Sequence, residues 1–138
     1  MNAQSDKQSN LVGTYMHLTN QVLPSLAQNE RSNWPVSEDH CFQRIILDTI
    51  CGGVWYEYLS RPAYKHLSEE QALRAVALCK AIVDNKVDLR QLNHQSLIWR
   101  KKRQALSWNL LRIDQILRQA SLKDAEDIES AYDLDEIV

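Results

Sequence analysis

Glycine occurs only three times in this chain, at Gly13, Gly52 and Gly53, and that scarcity limits the available folds more than any other feature. Without closely spaced glycines there is no GxGxxG or GxxxxGK[ST] loop, in which backbone amides approach a phosphate. Dinucleotide-binding folds and P-loop NTPases are excluded on that ground. Three prolines and few β-branched runs argue in the same direction against an all-β domain, whose many turns need such residues. Helix packed on helix is the remaining way to bury apolar side chains, and the hydrophobic spacing agrees with it.

A chain of 138 residues is one domain's length, enough to bury roughly two thirds of its unfolded surface. The formal charge of −2 announces no general affinity for nucleic acid or for membrane. Cys41, Cys51 and Cys79 form an odd count without paired spacing. That pattern suits free thiols in a reducing compartment, so the expected location is cytoplasmic. No apolar run reaches the about 20 residues a bilayer helix requires, and the polar opening MNAQSDKQSN reads as a disordered terminus over residues 1–9.

Leu11, Tyr15, Leu18 and Val22 recur at helical spacing and predict a first helix to about Ala27, distorted near Pro24. Ser37 is the expected N-cap of a second helix that runs through Cys51 and buries Phe42, Ile45, Ile46, Thr49 and Ile50. Gly52-Gly53 ends it, a short aromatic helical turn follows over residues 55–59, and Arg61-Pro62 imposes an extended step. Ser68 with Gln71 three residues later is a capping box that opens a helix to about Asp84. Asp88 is the next N-cap, before an inner face of Leu89, Leu92, Leu97 and Trp99. No glycine or proline interrupts residues 88–138, so continuity through RKKRQ as far as residue 118 is preferred over a break. Ser121 with Asp124 signals a final short helix. The expected architecture is therefore all-α, a single bundle-like domain of five or six helices over residues 10–120, followed by an acidic amphipathic segment over 121–138.

His40, Arg44 and Asp48 stand at i, i+4 and i+8 on the second helix, which places an imidazole, a guanidinium and a carboxylate on one polar stripe. Such a stripe is ordinarily a solvated helix face. It becomes a site if the aromatic segment with Trp55, Tyr56, Tyr58 and Tyr64, together with Glu57 and Arg61, folds over it. His40 and Cys41 are adjacent on a helix, so their side chains diverge by about 100° and do not form a catalytic pair. The histidines at 17, 40, 66 and 94 and the three cysteines show no CxxC, HxxxH or HExxH spacing. No catalytic residue, metal or cofactor is assigned.

Residues 90–118 carry seven basic side chains against the single acid Asp114, whereas residues 124–138 carry seven acids and no base. Arg100, Lys101, Lys102 and Arg103 lie between Trp99 and Trp108, a mixture used by binders of single-stranded nucleic acid. The same run also reads as a solvated face neutralised by the acidic tail.

The words Asp39-His40-Cys41-Phe42, Arg44-Ile45-Ile46-Leu47-Asp48, Arg61-Pro62-Ala63-Tyr64, Leu92-Asn93, Ser96-Leu97 and Trp99-Arg100 resemble a family of short bacterial helical proteins with no settled function. Some of its members carry an acetyltransferase-related label. The resemblance covers about residues 18–101. It implies that the polar stripe, the Arg61–Tyr64 turn and the stretch from Asn93 to Arg100 belong to one site, with Asn93, Ser96 and Arg100 contributed by a second helix. It carries over no coenzyme A residue, because the glycine-containing loop is missing.

The leading expectation for function is a non-enzymatic interaction or regulatory module that associates with a protein partner or with itself as a homodimer. The first alternative is a small polar or anionic ligand held among His40, Arg44, Asp48, Arg61, Tyr64, Asn93, Ser96 and Arg100. The second is nucleic-acid binding through Trp99, Arg100, Lys101, Lys102, Arg103 and Trp108.

Overall fold

A computed structural model describes residues 3–119. Among them there is no strand, and four helices carry the chain, not five or six. α1 runs without a break through Ala3–His17, a π-helical stretch Leu18–Val22, and Leu23–Asn29. α2 is Asp39–Cys51, α3 is Glu69–Val83 and α4 is Leu89–Gln119. The chain divides into two units, residues 1–100 and 101–138, and each is described by itself.

The expected distortion near Pro24 is the π-helical stretch, and its cause is local. Proline has no N–H and its ring collides with the carbonyl four residues back, so a widened turn with i to i−5 bonding relieves both problems. The Leu23 N–H accordingly donates to the carbonyl of Leu18. The helix also begins earlier than expected, at Ala3, and the Gln8 side chain donates to the carbonyl of Leu67.

The N-cap of α2 is Glu38 and not Ser37, with no side-chain cap bond. The helix ends at Gly52, whose φ of 73° is left-handed and costs glycine nothing. The amides of Gly52 and Gly53 both return to the carbonyl of Asp48. A Cβ on Gly53 would stand 3.0 Å from the Tyr58 hydroxyl, so the second glycine admits the Tyr58 ring. The chain then forms two short 3-10 turns, Trp55–Glu57 and Ala63–Lys65, separated by a cis Arg61–Pro62 bond. The capping box of α3 forms as expected: Gln71 N donates to Ser68 Oγ and Ser68 N donates to Gln71 Oε1. Asp88 Oδ1 accepts from the amide of Arg90 at the start of α4, which continues unbroken to Gln119. The helix expected from Ser121 and the acidic segment 121–138 lie outside the described residues.

The core of the first unit sits between α1, α2 and α3. α2 contributes Phe42, Ile45 and Ile46, and α3 contributes Ala72, Ala75, Val76, Cys79 and Ile82. Each large side chain among these gains roughly 1.5–3 kcal/mol from burial. Arg31 donates to the carbonyls of Ile82 and Val83, placing a cation at the C-terminus of α3 and pinning the loop before α2. The three cysteines are free thiols. No helix among the described residues is long and apolar enough to cross a membrane.

Candidate functional site

α2 has two faces of opposite character. Phe42, Ile45, Ile46 and Ile50 are apolar and buried, and Arg44 and Asp48, one turn apart on another face, turn toward the first three turns of α4. The expected inner face of α4 therefore needs correction. Leu97 is 43% exposed, and the residues that meet α2 are Asn93, Ser96 and Arg100. Those three positions follow from Leu89 at 3.6-residue spacing, whereas Leu97 lies about 80° off their line.

Asp48 is wholly buried. Its Oδ1 accepts from the Trp55 amide at 2.9 Å and from Arg100 Nη2 at 3.2 Å; its Oδ2 accepts from Ser96 Oγ at 2.6 Å and from Arg100 Nε at 2.9 Å. Four donors occupy the roughly four lone-pair directions of a carboxylate, so Asp48 has no acceptor capacity left for a ligand. It is an internal tie. One residue holds the loop after the glycines through Trp55 and the fourth helix through Ser96 and Arg100.

Arg44 is held differently. Its Nη1 donates to Ser96 Oγ and its Nη2 to Asn93 Oδ1, both at 2.7 Å. Both acceptors are neutral, so they fix the guanidinium without cancelling its charge. Ser96 links the two arginine networks: its oxygen accepts from Arg44 and its hydroxyl donates to Asp48. Burial, and then the nearby Arg100, lower the Arg44 pKa, and Cys41 and Asp48 only partly oppose that. The side chain is thus a half-buried cation in surroundings that disfavour its charge.

A cleft of about 980 Å³ opens beside this network, lined by thirteen residues drawn from α1, α2, the 3-10 turns and α4. Arg44, Arg61, Arg100 and His40 supply cationic or ionisable groups, and no acidic residue among the described residues lines it. Leu47, Trp55, Tyr56 and Pro62 form much of its apolar wall. The Arg61 guanidinium lies over the Tyr56 ring at 4.7 Å and the Trp55 ring at 5.3 Å, and Arg100 lies over Tyr56 at 5.4 Å. Aromatic faces attract both cations; Arg61 is held that way without a carboxylate among the described residues, whereas Arg100 is also paired with Asp48. The volume is at the upper end of the range for small-molecule sites, about 300–1,000 Å³.

Of the residues expected for a ligand site, His40, Arg44, Arg61, Tyr64 and Arg100 line the cleft. Asn93 and Ser96 stand behind Arg44 as its acceptors, and Asp48 is buried with Ser96 and Arg100. His40 is on the rim, 70% exposed in its side chain and 3.4 Å from Glu38. Gln43, Tyr15 and Met16 also line the cleft and were not anticipated. Gln43 follows His40 by one helical turn, a spacing that signals its place. Tyr15 gave no such sign, because its position matches the apolar stripe of α1 and its ring is buried.

Of the residues expected to meet nucleic acid, Arg100 is tied to Asp48. Burial, with Asp48 adding, raises the Cys51 thiol pKa, the reverse of what a nucleophilic cysteine needs. No group of three or more His, Cys, Asp or Glu side chains among the described residues is arranged to hold a metal ion. No family model, curated protein or solved structure matches the chain.

Proposed function

We propose that this protein binds a small anionic ligand with an apolar body. The anionic group sits against Arg44, with Arg61 adding positive field, and the apolar part lies along Leu47, Trp55, Tyr56 and Pro62. The observation that carries this reading is the setting of Arg44. A half-buried guanidinium facing a cleft, fixed at 2.7 Å by two neutral acceptors, keeps both its charge and its unused N–H donors for a partner. A cation in such a place is costly unless something compensates it, and an anion in the cleft is the compensation that stabilises it.

Titration calorimetry with benzoate and with inorganic phosphate at low ionic strength tests the proposal. Saturable binding by at least one of the two is expected, weakening with added salt and falling at least tenfold in Arg44→Gln. If neither anion binds the wild-type protein, or if Arg44→Gln binds as well as the wild type, the reading is wrong.

A further inference from the structure

The second unit poses a separate problem, carried by residues 101–119 alone. Every one of these nineteen residues is exposed, yet they form an α-helix. Helices in water owe most of their stability to an apolar face packed on something else. Here that face is present and uncovered. Leu106, Leu110, Ile113 and Leu117 are 60%, 59%, 53% and 68% exposed, and their spacing of four, three and four is that of a coiled-coil seam.

We propose that a second copy of this chain covers the seam, with the two helices antiparallel. Pairing Leu106 with Leu117 and Leu110 with Ile113 of the other copy closes the seam symmetrically about a two-fold axis. Charge selects the orientation. Lys101, Lys102 and Arg103 open the stretch, and seven acids with no base occupy residues 124–138. A parallel pair sets each block against its like, whereas an antiparallel pair brings the acidic stretch of one copy up to the basic run of the other. Charge alone would also allow the tail to fold back on its own helix. A tail folded on its own helix would leave the wild type monomeric, which the following measurement distinguishes.

Sedimentation equilibrium of the full chain at low salt is the test. A dimer is expected, and the pair Leu110→Asp with Ile113→Asp is expected to sediment as a monomer. Both positions are exposed and outside the first unit, so that variant's titration with phosphate or benzoate matches the wild type, and circular dichroism loses at most the helix of residues 101–119. Removing residues 121–138 weakens dimerisation at least tenfold, and added salt narrows that difference. Mixing Leu110→Cys copies with Ile113→Cys copies gives a cross-link between unlike copies in preference to like ones. A monomeric wild type overturns the proposal, as does a dimer indifferent to the double substitution. A dominant link between two Leu110→Cys copies overturns it too, because that geometry is parallel.

Discussion

α3 and α4 are both held against α2, and by opposite means. α3 presents Ala72, Ala75, Val76, Cys79 and Ile82, all buried, and its attachment is hydrophobic area and close packing. The first turns of α4 present Asn93, Ser96 and Arg100, and their attachment is a chain of hydrogen bonds from Arg44 through Ser96 to Asp48 and back to Arg100. An apolar contact tolerates changes of pH and salt, and a polar one fixes orientation but depends on every member being present. The cleft opens on the polar side. Directed donors are of use to a ligand there, and the apolar side supplies the rigidity behind them.

The contrast fails most sharply if Asp48 is removed. Asp48→Ala leaves Arg100 without its carboxylate next to Arg44, and a loss of about 3–5 kcal/mol is expected in urea unfolding, the range for breaking one side of a buried pair. A loss below about 1 kcal/mol would mean that the polar junction contributes little. Ile82→Ala, on the apolar side, is expected to cost about 3 kcal/mol through lost burial and a residual cavity. Its cost stays the same between low and high salt, whereas that of Asp48→Ala shifts. Arg44→Gln has the smallest effect on stability, within about 1 kcal/mol, because the amide keeps part of the bonding to α4 while a disfavoured cation is lost. Urea midpoints at two salt concentrations separate the three cases. A large loss for Arg44→Gln would make that arginine a structural tie and not a reserved charge.

Parts of this arrangement are legible in the chain before any coordinates. The stripe of His40, Arg44 and Asp48 is visible because i+4 spacing fixes which side chains share a helix face. The capping box at Ser68, the stop at Gly52 and the start at Asp88 rest on backbone groups that local side chains satisfy, so sequence suffices for them. Among the described residues the count of helices is four and not five or six, and the helix expected after Ser121 lies outside them. The aromatic segment closes in 3-10 turns instead of a further α-helix. On the inner face of α4 the expectation fails at Leu97, because hydrophobicity ranks burial well only where the opposing surface is apolar. The surface facing α4 carries a buried aspartate.

What the sequence determines by itself is the helical class, the capping and stopping of the helices and the set of polar residues available for a site, because each depends on contacts within a few residues. What only the tertiary structure decides is the use of those residues: Asp48 is consumed internally, Arg44 is held without neutralisation, and Tyr15 joins a cleft from another helix. Those outcomes depend on partners 48 to 52 positions away in the chain, or on a neighbouring helix. No local pattern specifies such distant pairings, because they follow from how whole helices pack.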